Sequence, residues 1–407
     1  MDLTRKISIA HYDNWPESSL YYEAIKNASP DFKKEIFDIY FGKSFRYKYR
    51  EQELYDSYPR QHEVIYGNVM GVEASDEQIE NLFKIQEEFG IEISLTINQL
   101  NIPVEMFFSK NDRVVSAFIE WLGGFYHRGL RNCTLANNHL MRTGLLQKKF
   151  PEMRWKNTVN QQVSSAQQVI DYLYLGYNIV QLDRSLNRNI DELKRVKDAV
   201  EKYKVKFPDK CSKTSLLVWE DCLPSCPFKR EHDDLQIYLR KINYWNSQLG
   251  TLTCNRWTDR LGASMLPRFG ANCYWTTLET FREYSGLVDI FKYSGRLTRN
   301  HPDGSGQVRF GWRSMEVANI GFFSDSLSNI IDDKLEPLHL WVFAPARIDN
   351  PIPGTEEIKR ELAKDVWMSD KARKLEVVLK NCRNQCYGCH LCERTFGMPE
   401  LDSAIEF

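Results

Sequence analysis

Ten cysteines are distributed unevenly over 407 residues, and their spacing is the chain's most chemical feature. Four of them fall in CRNQCYGCHLC as Cys382-x3-Cys386-x2-Cys389-x2-Cys392. Thiolates bind soft and borderline metals, and four thiols in eleven residues have hardly any structural use except metal. The compact run is spaced like ferredoxin-type loops, whose consecutive thiolates wrap one 4Fe-4S cubane, and Gly388 relaxes the backbone between ligands. Zinc tetrathiolate is the alternative, although zinc sites more often present two separated Cys pairs.

A second group begins in SLLVWEDCLPSCPFKREH, residues 215–232. The apolar run Leu216-Leu217-Val218-Trp219 stops at Glu220-Asp221, Cys222 follows at once, and Cys226 precedes Pro227. A short buried strand that delivers thiols at its C-terminal end is how an α/β enzyme presents a metal or redox site. Cys254 and Cys273 complete a widely spaced set, Cys-x3-Cys-x27-Cys-x18-Cys. Cys133 and Cys211 have no close Cys partner and read as ordinary buried thiols. Radical-SAM enzymes also use Cys-x3-Cys-x2-Cys, but after the first barrel strand. Here that run lies at the far end of the chain with a fourth Cys, which disfavours that class.

The elements that must position these groups alternate. Apolar bursts begin near residues 36, 91, 132, 155, 178, 215, 272 and 288, with helical patterns between them. Expected helices cover 18–34, 75–89, 112–126, 140–150, 164–175, 190–203 and 233–248, with Ser75 and Gln78 forming a capping box and Ser164 an N-cap. The polar, aromatic stretch FRYKYREQELYDSYPRQ reads as a loop or lid. Eight strands alternating with helices predict an α/β fold, a (β/α)8 TIM-like barrel over residues 1–300, with a cysteine-rich extension over 301–407. An open doubly wound sheet would need fewer strands and a Gly-rich first turn, and neither GxGxxG nor a Walker loop is present.

In such barrels the chemistry sits at the C-terminal strand ends. The residues expected there are polar. Asp183, Arg184, Glu220 and Arg296 are the catalytic candidates, and Asn98, Asn137, His139 and Asn160 are candidates for substrate binding. Arg184 and Arg296 suit a carboxylate or phosphate because the guanidinium fork matches those groups. Turn chemistry alone also favours Asn and Asp at these places, and salt bridges to Asp183 or Asp289 compete for the two arginines.

A formal net charge of −1 gives no global field for nucleic acid, and no apolar run is long enough to span a bilayer. MDLTRKISIAHYDNW has no secretory h-region, so a cytoplasmic location is expected, where clustered thiols bind metal rather than pair.

Two segments, LLVWEDCLPSCPFKREH and VDIFKYSGR, together with the barrel layout resemble the U32 collagenase-like peptidase superfamily. The resemblance covers roughly residues 36–300. It implies a 4Fe-4S cluster on four barrel cysteines and oxygen-independent hydroxylation of RNA bases or ubiquinone precursors. Cys222 and Cys226 would then be two ligands, with Cys254 and Cys273 as candidates for the others. In that family the first two cysteines lie further apart than here, and Cys382–Cys392 is an addition to its pattern.

The leading expectation is therefore an iron–sulfur oxidoreductase with one or two 4Fe-4S clusters, zinc being the alternative at the C-terminal site. It would act on a small-molecule or nucleotide-like substrate and draw electrons from a donor protein, with no membrane partner. A U32-type hydrolase ranks below it, since no HExxH or GxSxG is present. A non-catalytic RNA- or protein-binding component with structural zinc is the third reading, using Arg46 and Lys48 of FRYKYR for phosphate contacts.

Overall fold

Runs in which apolar residues alternate with polar ones form parallel strands here, and the strands close on themselves. The computed structural model describes residues 7–11, 19–27, 30–51, 60–68, 73–107, 113–219, 231, 278–293, 296–300, 307–311, 377–382, 389, 391 and 394. In chain order the strands are β1 (Ile7–Ala10), β2 (Ile36–Gly42), β3 (Phe45–Glu51), β4 (Arg60–Tyr66), β5 (Glu92–Ile97) and β6 (Asn132–Leu135). They continue with β7 (Arg154–Lys156), β8 (Ile179–Leu182), β9 (Lys213–Trp219), β10 (Ile290–Tyr293), β11 (Arg296–Asn300) and β12 (Gln307–Gly311). A closed barrel runs β1-β10-β9-β8-β7-β6-β5-β2, with β3–β4 and β11–β12 as separate antiparallel pairs.

Seven of the expected barrel strands are present within about two residues of their expected starts. The eighth is different. Residues 272–275 lie outside the described set, and the ring is closed by β1, which pairs with β2 (Ile7 to Ile36) and β10 (Ile7 to Phe291). Four residues are too few to carry a periodic signal, so this strand is defined by its partners on both edges rather than by its own sequence.

The helices are α1 (Ser19–Asn27), α2 (Pro30–Glu35), α3 (Asp76–Phe89), α4 (Arg113–His127), α5 (Asn138–Arg142), α6 (Leu145–Lys149), α7 (Ala166–Tyr174), α8 (Ile190–Lys206) and α9 (Leu278–Leu287). The expected capping box is present at α3, where Ser75 accepts from the Gln78 N–H and Gln78 accepts in return from the Ser75 N–H. Helix 18–34 is instead two helices, the second starting at Pro30, where the ring suits a first helical position. Helix 140–150 is likewise split, by Gly144 in the left-handed region (φ 69°). The N-cap of α7 is Ser165 rather than Ser164, because it is the Ser165 hydroxyl that accepts from Gln168 N–H. Among the described residues no helix is long and apolar enough to cross a membrane.

The main core lies between strands and helices. Ile39, Ile93, Leu95, Leu135, Val180, Leu182 and Leu216 point outward from the barrel and meet Leu82, Phe118, Leu173 and Val196 of the helices. Each such side chain contributes about 1.5–3 kcal/mol on burial. The stretch read as a loop is partly a hairpin, with β3 and β4 in register from Phe45–Tyr66 to Glu51–Arg60. Phe45 stacks edge-on against Phe118 (5.5 Å) and lies 5.8 Å from Trp121, so apolar packing on α4 orders it. The loop expectation failed there because the buried aromatic anchor was masked by its polar neighbours.

Candidate functional site

All eight barrel strands point the same way, so their C-terminal ends form one mouth. After β8, Asp183 accepts from the Ser185 N–H and caps the 3-10 turn Arg184–Arg188. That turn is tied down by Asn187, whose amide donates to the Leu217 carbonyl of β9 at 2.6 Å, and by Tyr284 of α9, which donates to the Asn187 carbonyl at 2.7 Å. Arg184 is buried there, and its guanidinium reaches the Asn160 side-chain oxygen Oδ1 at 3.5 Å. Three of the sequence-identified residues, Asp183, Arg184 and Asn160, are thus brought together.

The others have mixed fates. Asn137 is buried, and its side-chain oxygen caps α5 by accepting from Leu140 N–H. His139 is half-buried and lies 5.5 Å from the Phe107 ring. Asn98 is half-buried just beyond β5. Arg296 does not end a barrel strand. It opens the hairpin β11–β12, opposite Gly311. Glu220, Cys222, Cys226, Cys254, Cys273, Cys386 and Cys392 lie outside the described residues. Cys382 is half-buried with its N–H on the Leu379 carbonyl, and Cys389 is exposed with its carbonyl accepting from Arg394. Among the described residues no three His, Cys, Asp or Glu side chains form a metal-binding group. Cys133 is fully buried on the outer face of β6, where burial pushes its thiol far up, as expected of an inert core thiol. Arg46 pairs with Glu73 at 3.2 Å and Lys48 stands opposite Glu63, so both cations assigned to phosphate contact are already faced by carboxylates.

The largest group missed by sequence reasoning is inside the barrel. Ser8 pairs in register with Asp38 and with Lys292, Tyr40 with Ser94, and Thr134 with both Thr96 and Lys156, so these residues share the inner face. Lys156 on β7 crosses the lumen to bond Asp38 on β2, three strands away, and Ser8 donates to the other Asp38 oxygen. Lys156 is 5% exposed and Asp38 0%, so this is a fully buried ion pair. Below it, Phe37, Ile179 and Ile290 make a small apolar floor. Also facing the lumen, Lys292 donates to Gln181 Oε1 at 3.2 Å and sits 4.2 Å from the centre of the Tyr40 ring. Asn157 stitches β7 to β8 where their ladder is short, donating to the Gln181 carbonyl (3.0 Å) and accepting from its N–H. The available signal was a charge in mid-strand, such as Asp38 within IFDIYF.

A third feature converges on the mouth. Residues 377–382 dock on the N-terminus of α8, the helix that follows the Arg184–Arg188 turn. The Lys380 carbonyl accepts from Ile190 N–H (2.9 Å) and the Asn381 side chain from Asp191 N–H (3.3 Å). Asn189 takes the third on its side chain, from Glu192 N–H, and its own N–H donates to the Leu186 carbonyl at 3.1 Å. All four donors that a helix start leaves open are therefore satisfied, two of them by a segment almost two hundred residues away in sequence. Lys380 adds an ion pair to Glu283 of α9 at 2.8 Å.

Among solved structures, the U32 peptidase Mk0906 is similar to this chain with a TM-score of 0.44 and 9% identity, over 71% of this chain and 92% of that one. No protein-family model and no curated protein matches the chain. The barrel assignment rests on the closed strand order itself.

Proposed function

We propose that this protein is an enzyme, an iron–sulfur oxidoreductase that carries out an oxygen-independent hydroxylation or related redox step on a polar substrate at the barrel mouth. The observation that carries the reading is that each cysteine run is joined, in the chain, to an element that ends at that face. Cys222 follows Trp219, the last residue of β9, by three positions in the chain, and Cys226 by seven. Cys382, which opens the second run, directly follows the two residues that cap α8. The donor set suits the group, since both runs are thiols and the tighter one has cubane spacing.

A bound cluster would supply electrons, or a Lewis-acidic iron, at the substrate. The chain's own residues bind and orient. Arg184, held by Asn160 and by the capped turn, offers a planar donor fork at the mouth. The ordered turn 184–188 keeps that fork in place without cost at the moment of binding. Electrons would come from a donor protein.

Metal and acid-labile sulfide in anaerobically purified protein test this reading. Iron and sulfide near about eight per chain support two cubanes, and about four support one, which Cys222→Ala and Cys386→Ala would then locate. Zinc without sulfide would overturn the redox reading and favour a structural zinc site.

A further inference from the structure

At the mouth end of the lumen the inward side chains form a continuous ring. Lys292 of β10 bonds Gln181 of β8 and covers Tyr40 of β2. Gln181 reaches Thr134 Oγ1 of β6 at 3.4 Å, and Thr134 is the register partner of Thr96 on β5. Ser94, one inward step below Thr96, is the register partner of Tyr40, which completes the circuit. Two hydroxyls of this ring stand out. Ser94 Oγ and Thr96 Oγ1 are shielded from solvent, their residues 0% and 5% exposed, and neither has a hydrogen-bond partner among the described residues.

Burying a hydroxyl without a partner is unfavourable, and Ala or Val at the same places would avoid that cost. Two buried hydroxyls without partners among the described residues, facing the same lumen as the Lys292 ammonium, present the donor set an oxyanion needs, charge from the lysine and hydrogen bonds from the hydroxyls. Repulsion from Asp38 is offset, because its carboxylate is already engaged by the Lys156 ammonium and the Ser8 hydroxyl. We propose that this ring binds an oxyanion group of the substrate, a carboxylate or a phosphate, through Lys292, Ser94 and Thr96. The inference names the substrate class for the same mouth, and it stands whether or not the thiols hold a cluster.

The test is calorimetric titration of the full-length chain with malonate and with inorganic phosphate, using malonamide as the uncharged control. Wild type is expected to bind at least one oxyanion and not malonamide, the two anion arms telling carboxylate from phosphate. Ser94→Ala and Thr96→Val should each weaken binding about tenfold, and Lys292→Met by about a hundredfold. The hydroxyl variants separate ligand binding from folding. With no partner to lose, their unliganded melting temperatures should stay level or rise, whereas their affinities fall. The proposal is overturned if neither anion binds wild type at high millimolar concentration, if malonamide binds as well as malonate, or if Ser94→Ala and Thr96→Val bind like wild type. Iron measured on the same samples keeps a failure of the metal reading distinct from a failure of this one.

Discussion

On β5, Ile93, Leu95 and Ile97 face the helices, while Ser94 and Thr96 between them face the lumen. The same division holds on β2, with Ile39 and Phe41 outside and Asp38 and Tyr40 inside, and on β6, with Cys133 and Leu135 outside and Thr134 inside. Both faces are buried, yet one is apolar and the other carries an ion pair, hydroxyls and amides. Barrels of this kind usually fill the lumen with layers of Val, Ile and Leu. Apolar packing of similar volume would hold the strands as well as a buried ion pair does, or better. The outer face therefore accounts for most of the apolar stabilisation, and the polar inner face is the one proposed to bind.

The largest expected effect probes the inner face. Lys156→Met alone strands the Asp38 carboxylate in the lumen and should destabilise by about 3–5 kcal/mol in urea unfolding, because an uncompensated buried charge is left behind. Adding Asp38→Leu should recover most of that loss. A double variant as unstable as the single one would mean that the polar lumen is structural after all, and the contrast between faces would collapse.

The outer face should respond differently. Leu95→Ala is expected to cost about 2–5 kcal/mol, through lost burial and the cavity left behind. Its neighbour Ser94→Ala, on the same strand but facing inward, should change stability by no more than about 0.5 kcal/mol. Similar losses at the two positions would erase the distinction.

A pH effect sharpens the edge between the two environments. His11, just beyond β1, is buried against Tyr21 (4.8 Å between rings), and burial lowers its pKa from 6.5 to about 3. The unfolded chain takes up a proton below pH 6.5 that the folded one refuses. The stabilising contribution is thus complete above 6.5 and is lost as pH falls toward 3, by about 2 kcal/mol near pH 5. His11→Gln should flatten that part of the stability–pH profile in chemical denaturation.

The smallest effect concerns the docked segment. Asn381→Ala removes one donor's cap and should cost about 1 kcal/mol, seen as faster amide exchange at Asp191 while exchange in the middle of α8 is unchanged. Unchanged protection at Asp191 would mean that the docking of residues 377–382 does not hold the helix start.

Much of the fold was readable before any coordinates. Alternation in IEISLTI and the capping box at Ser75–Gln78 are local signals, set by strand pleat and by the open donors of a helix start, and both appear where expected. The nearness of three candidates was readable too, since Asp183, Arg184 and Asn160 lie within a few residues of strand ends and so had to lie near the mouth. Short elements were not. β1 is four residues long, and Phe45 sits in a run of polar residues, so each owes its place to distant partners.

The amino-acid sequence by itself determined the strand–helix alternation, the spacing of the thiols and the two-residue period of polar positions, because these depend only on neighbours in the chain. It could not say where those polar positions point. In an isolated strand Ser94, Thr134 or Gln181 would be expected to face water. Closure of eight strands into a ring turned that face inward, and put Lys156 against Asp38 across 118 positions of sequence. The same long-range packing set Lys380 and Asn381 on α8. Such contacts are decided by chain closure and burial, which no local pattern encodes.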